Sequence, residues 1–165
     1  MHLKYIYFCW GGAHSSVTAA AIHLGNLPSD RVATVSEILQ TQRFDLATDA
    51  DMGRLFRMGC DEQGNEVFIL GLGPGHKQIR YGIATCLELL GVAGSEYRLV
   101  NCLPCVNWAA RIGGFTSRYL GVVSLGRPLV AWGVHKSYHN FIRLVQWVKS
   151  SDAQTSAFLD WSPPL

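Results

Sequence analysis

The feature that most constrains the fold is a continuous apolar run that stops at a pair of glycines near the start of the chain. Residues 4–9 are β-branched, aromatic or apolar, which is typical of a buried strand, and Gly11 and Gly12 end the run. A helical pattern begins at Ser15 or Ser16, and Ser16 is the expected N-cap. This order of strand, glycine loop and helix predicts the opening unit of an α/β fold.

The rest of the chain repeats and extends this plan. The composition of residues 61–65 favours a turn, so residues 54–70 predict an antiparallel hairpin. The second half of that hairpin leads into another glycine loop, at residues 71–77, and then into a helix over 78–90. Further strands are predicted at 98–102 and 128–134, further helices at 35–42, 107–119 and 139–149, and a docked apolar tail at 157–165.

Strands that alternate with helices predict a single α/β domain over residues 1–165, with three α-β-α layers and a mostly parallel sheet. The length suits one domain with its own core, and a content of 48% hydrophobic residues suits a sheet covered on both faces. In such sheets ligands bind beyond the carboxyl ends of the strands. Both glycine loops and the segment after Cys102 are therefore expected at one edge.

Composition also narrows the classes of partner. The formal charge is +2 without a block of Lys and Arg, so no nucleic acid is expected. No apolar stretch approaches the roughly 20 residues of a membrane span, so no membrane partner is expected either. The chain shows no signal-peptide plan, which predicts a cytoplasmic protein, and its five cysteines are then expected to be thiols. Homo-oligomerisation stays open.

The first glycine loop has the composition of an anion-binding site. A helix N-terminus offers unpaired N–H groups and a partial positive charge, and glycines let the backbone wrap an oxyanion. The predicted ligand-binding residues here are Gly11, Gly12, Ser15 and Ser16. Cys9 is the candidate nucleophile, because this field favours a thiolate, and His14 is the candidate donor or acid–base group. The alternative is a tight turn beside a buried thiol and a surface histidine.

Two further segments carry candidate residues. In the second loop the predicted ligand-binding residues are Gly73, Gly75, His76 and Lys77, although the G-K-[ST] ending of a Walker A loop is absent. A simple Gly/Pro turn explains this loop equally well. Cys102 and Cys105 form a C-x-x-C that indicates a redox pair or half of a metal site, against the alternative of two buried thiols. A complete metal site would have to borrow Cys9, His14 or His76.

The residues of the first loop resemble two known phosphate-handling loops. Cys9, Gly12, Ser15 and Ser16 fit the C-x-x-G-x-x-S-S pattern of the cysteine-phosphorylated B components of sugar phosphotransferase systems. The loop is also similar to the C-x-G-x-x-x-R-S loop of low-molecular-weight tyrosine phosphatases, but Ser15 occupies the arginine position. That exchange removes the bidentate clamp on a transferring phosphoryl group. An Asp-Pro general-acid segment is missing as well.

A longer resemblance covers most of the chain. Residues 9–25 fit the motif C-[YW]-G-G-x-H-S-S-x-x-A-A-x-I-H-L-G of an uncharacterised family of small proteins from endospore-forming Firmicutes. This resemblance implies a bacterial protein and transfers no activity. Two functions stay open: binding of a phosphate-bearing or other anionic ligand at the first loop, with Cys9 as a nucleophile, or a non-catalytic metabolite, nucleotide, redox or metal-sensing module. No cofactor is named by the sequence.

Overall fold

The computed structural model describes residues 2–106, 123–150 and 156–163. The strands are β1 (Lys4–Cys9), β2 (Leu55–Cys60), β3 (Glu66–Gly71), β4 (Tyr97–Asn101) and β5 (Phe158–Leu159). The helices are α1 (Ser15–His23), α2 (Val35–Gln40), α3 (His76–Leu89), α4 (Val123–Lys136) and α5 (Tyr138–Ser150), with short 3₁₀ turns at Asp49–Asp51 and Leu103–Cys105.

The strands form one sheet in the order β2-β3-β1-β4-β5. The β1 strand runs parallel to β3 and to β4, with Phe8 opposite Leu70 on one side and Asn101 on the other. The β4–β5 pair is parallel and the β2–β3 hairpin is antiparallel. The predicted α/β fold, its mostly parallel sheet and its single hairpin are therefore confirmed.

Side chains of the central strand alternate between two apolar layers, as the two-residue period of a strand requires. Tyr5, Tyr7 and Cys9 face a large core that also contains buried residues of α1, α2, α4 and α5. Ile6 and Phe8 face a smaller core that is covered by one side of α3. Helices on both faces of the sheet produce the three expected layers.

Helix α1 is buried along its whole length and lies directly over the sheet. Its central residues are three alanines at positions 19–21, which let the helix backbone approach the strands. The expected N-cap, Ser16, is wrong: the helix begins at Ser15, and His14 occupies the N-cap position without a side-chain capping bond. Ser16 is turned inward instead, toward Cys9. Thr34, in contrast, caps α2 in a capping box with Glu37.

The predicted strand at 128–134 is wrong, because this segment lies inside α4. Its buried residues are Val130, Ala131 and Val134, whereas Leu129 and Trp132 are exposed. That spacing has the period of a helix that buries one face, and Pro128 is accommodated within it. The last strand comes from the apolar tail, which pairs with β4 and confirms the predicted docking. The predicted helix at 107–119 lies outside the described residues.

Candidate functional site

The two glycine loops pack against each other, backbone to backbone, at the carboxyl ends of β1 and β3. The N–H of Leu72 donates to the carbonyl of Cys9 at 3.0 Å, and the N–H of Gly73 donates to the carbonyl of Trp10 at 2.8 Å. A Cβ on Gly12, which has a φ of +66°, would lie 2.9 Å from the backbone nitrogen of Gly71. The loops thus lie together, as the topology predicted, and the glycines at their contact permit the close approach.

The thiol of Cys9 lies beneath the first loop. Its side chain is only 4% exposed, and its Sγ accepts the backbone N–H of Gly12 at 3.1 Å. The hydroxyl of Ser16 lies 3.3 Å from the same sulfur. Ser16 itself is completely buried, so its hydroxyl serves Cys9 and is not available as a surface ligand group.

The first residue of α1 presents a hydroxyl without a partner. Ser15 is 6% exposed, and its hydroxyl makes no hydrogen bond to another described residue. Beside it, the first-turn N–H groups of α1 receive no capping side chain from His14. A free hydroxyl next to the positive end of a helix provides a set of donors suited to an oxyanion.

The imidazole of His14 is hydrogen-bonded to Asp45, a residue that the sequence pattern did not single out as part of the site. The Nε2 of His14 lies 2.7 Å from Oδ1 of Asp45, and the two side chains are 21% and 11% exposed. Asp45 has a φ of +60°, and its N–H donates to the carbonyl of Ala13 at 3.1 Å. The ring of Phe44 contacts His14 edge-on, with the centroids 5.2 Å apart. The loop around Asp45 therefore determines the orientation of His14.

The predicted ligand-binding side chains of the second loop, His76 and Lys77, do not join the residues of the first loop in one cluster. Gly73 has a φ of +62° and Gly75 precedes the first turn of α3, whereas the side chain of Lys77 is exposed. His76 lies near Phe8, on the α3 side of the sheet, and its Nδ1 is buried without a partner among the described residues. Across residues 2–106, 123–150 and 156–163, no group of three or more His, Cys, Asp or Glu could hold a metal ion.

Cys102 and Cys105 lie beside the first loop, but both thiols are completely buried. The N–H of Cys102 donates to the carbonyl of Phe8 at 3.0 Å, next to Cys9 on the neighbouring strand. Burial raises the pKa of Cys102 well above its usual range, and the neighbouring Cys105 and Cys9 raise it further. Burial also raises the pKa of Cys105. Burial thus opposes the thiolate form of both sulfurs, the form that a redox pair or a metal ligand uses.

A second polar cluster lies at the opposite edge of the sheet, below α1. The hydroxyl of Tyr7 lies 2.6 Å from Nδ1 of His23, and Nε2 of the same ring lies 3.1 Å from Oδ2 of Asp61. The side chains of His23 and Asp61 are 0% and 6% exposed. This chain of bonds satisfies both ring nitrogens, so His23 is a core residue.

Comparisons with known proteins identify an uncharacterised family and assign no activity. Within the part of the chain that is described, no helix has the length and apolar character needed to cross a membrane. No curated protein and no solved structure matches the chain. A family model described as "Protein of unknown function (DUF3189)" matches residues 4–150, which is most of the length. The chain therefore belongs to the DUF3189 family.

Proposed function

We propose that this protein binds a phosphate-bearing or other small anionic ligand at the loop from Cys9 to Ser16. The ligand-binding groups are the N–H groups in the first turn of α1 and the hydroxyl of Ser15, and Gly11 and Gly12 let the backbone of the loop approach the ligand without a Cβ in the way. In this proposal Cys9 is the nucleophile in any covalent step and His14 is the proton donor.

The observation that carries the proposal is the unpartnered hydroxyl of Ser15. The side chain of Ser15 is 6% exposed, and its hydroxyl makes no hydrogen bond to the described residues. Its oxygen is not among the described buried atoms that lack a partner, so it keeps contact with solvent and is accessible to a ligand. An oxyanion at the start of α1 would accept its proton and those of the neighbouring N–H groups.

A covalent step at Cys9 is a secondary part of the proposal. Attack by the Cys9 sulfur would form a sulfur–phosphorus bond and break the bond to the leaving oxygen, which would take a proton from His14. Ser15 stands where the resembling phosphatase loop has an arginine, so the bidentate clamp on the transferring group is missing from this loop. Anion binding therefore comes first in the proposal and phosphoryl transfer second.

The test of binding is a titration with inorganic phosphate followed by NMR. We expect shifts in the amide resonances of residues 11–16, with a dissociation constant in the millimolar range, equivalent to about −4 kcal/mol. Ser15→Ala should weaken the affinity about threefold to tenfold, whereas Ser36→Ala, which removes an exposed hydroxyl on α2, should leave it unchanged. A spectrum that phosphate leaves unaltered would overturn the proposal.

The covalent version has a separate test. A thiol-directed reagent at mildly acidic pH, followed by mass spectrometry of the peptides, should label Cys9 faster than an ordinary thiol once the reagent reaches it. Ordinary reactivity at Cys9 would remove the nucleophile from the proposal and leave anion binding in place.

A further inference from the structure

The segment from Arg43 to Arg54 borders both glycine loops. At its start, Asp45 is hydrogen-bonded to the carbonyl of Ala13 in the first loop. At its end, the N–H of Gly53 donates to the carbonyl of Gly71 at 2.9 Å, where the second loop begins. The ends of this segment are therefore anchored on the two loops that form the candidate site.

The arginines at the two ends of this segment converge on one aromatic ring. The guanidinium carbon of Arg43 lies 3.7 Å from the centroid of the Phe56 ring, and that of Arg54 lies 5.4 Å from it. Arg43 reaches this position from a left-handed backbone, with a φ of +66°, which is uncommon for a residue with a side chain. Phe56 is the second residue of β2, so the ring and both cations lie at the same edge of the sheet as the loops.

The positive charge of this pair is only partly neutralised. The carboxylate of Asp51 accepts the N–H and the hydroxyl of Thr48 at 2.8 and 2.9 Å, and Arg54 approaches its other oxygen at the longer distance of 3.5 Å. No described carboxylate lies within ion-pair distance of Arg43. Of the two guanidinium groups, only that of Arg54 lies within ion-pair distance of Asp51, at 3.5 Å, and the nearby carboxylate of Asp45 is hydrogen-bonded to His14.

We infer that the ligand of the first loop carries a second anionic group, and that Arg43 and Arg54 bind it. This inference rests on the proposed function and specifies its ligand class: a diphosphate or longer phosphate chain, with one phosphate at Ser15 and the start of α1. Guanidinium groups match phosphate oxygens in geometry as well as charge. The arginine pair supplies, from a distant part of the chain, the cations that the loop itself lacks.

The experiment compares inorganic phosphate, pyrophosphate and tripolyphosphate as probes of the intact chain. Calorimetry should give a pyrophosphate affinity at least about tenfold higher than that of phosphate. The double variant Arg43→Gln with Arg54→Gln should reduce this preference to about twofold while leaving phosphate affinity nearly unchanged. Arg43→Lys, which retains the charge, should retain part of the preference, and Arg143→Gln, a change at an exposed arginine on α5, should retain all of it.

The outcomes separate the inference from the proposed function. If phosphate shifts the resonances of residues 11–16 but pyrophosphate and tripolyphosphate bind no more tightly, the inference is overturned and the proposed function stands. An equal loss of preference in Arg143→Gln would also overturn it, because the effect would then come from overall charge. If the longer probes need Arg43 and Arg54 but leave residues 11–16 unshifted, the arginine site is supported and the proposed function fails.

Discussion

The contact between the two glycine loops makes Gly12→Ala the most informative change in the protein. A Cβ at this position would lie 2.9 Å from the backbone nitrogen of Gly71 and 3.2 Å from its Cα. Backbone atoms on a buried strand end do not move aside as a flexible side chain does. The left-handed φ of +66° adds about 1–2 kcal/mol for a residue with a Cβ, and the forced overpacking adds about 1–3 kcal/mol. We expect the free energy of unfolding to fall by about 2–5 kcal/mol.

Two other glycines provide matched controls. Gly25, after α1, has a φ of +72°, and a Cβ there would meet no atom within 4 Å. Gly25→Ala therefore carries the backbone strain alone, about 1–2 kcal/mol. Gly82, within α3, has neither a positive φ nor a neighbour within 4 Å. Gly82→Ala should stabilise the protein by about 0.5–1 kcal/mol, because alanine is the better helix former.

Urea unfolding of the three variants measures these differences, with equal slopes as the check that the unfolding transition is unchanged. The reasoning requires Gly12→Ala to be more destabilising than Gly25→Ala by at least about 1 kcal/mol. Equal losses in the two variants would refute it, because they would show that the loops separate at no cost. A folded Gly12→Ala protein should also lose phosphate binding, since the loops must move apart to admit the methyl group.

Two further predictions concern polar and thiol groups. Burial acts to raise the pKa of Asp61, but hydrogen bonds from the side chains of Asn65 and His23 outweigh it and leave the pKa lowered. The stability from this group is therefore present above the unfolded pKa of about 4 and is lost as the pH falls through the lower folded value. In Asp61→Asn this contribution is absent, so the free energy of unfolding, measured with urea, should fall less steeply below about pH 4 than in the unmodified protein. An equally steep fall would argue against the network. Native protein treated with a thiol reagent near neutral pH should react first at its exposed cysteines, Cys60 and Cys86, and early labelling of Cys102 or Cys105 would contradict their burial.

Most of the fold could be predicted from local sequence patterns. The strand predicted at residues 128–134 was wrong, and the error has a physical explanation. The strand at residues 4–9 and the hairpin at 54–70 carry an apolar run and a turn composition that few other structures satisfy. The segment 128–134 is different, because a short apolar run fits a buried strand and a partly buried helix equally well. Only the exposure of Leu129 and Trp132, which is a property of the packed molecule, distinguishes the two.

For the candidate site, too, the sequence indicated which residues lie near one another but not which way their side chains point. Cys9, Ser15 and Ser16 are close in sequence, so a loop pattern could propose them together, but the pattern could not show that Ser16 faces the thiol while Ser15 has no partner. His14 and His76 were candidates for one metal site because their loops were expected at the same edge. In the structure His76 lies near Phe8 and His14 near Phe44, and Phe8 and Phe44 belong to the apolar layers on opposite faces of the sheet.

The charged residues near the first loop could not be predicted from the sequence, because they come from a different part of the chain. Asp45 lies 31 positions from His14. The segment from Arg43 to Asp45 reaches the first loop through two residues with positive φ, and because neither is a glycine, the sequence did not indicate this backbone conformation. The sequence of the first loop lacks an arginine and did not indicate which residues could supply a cation. In the folded chain the hydrogen bonds of Asp45 and Gly53 hold the segment between them, with its arginines, against both loops. The positive charge near the first loop thus depends on tertiary contacts, and variants of Arg43 and Arg54 test its role more directly than variants of the loop.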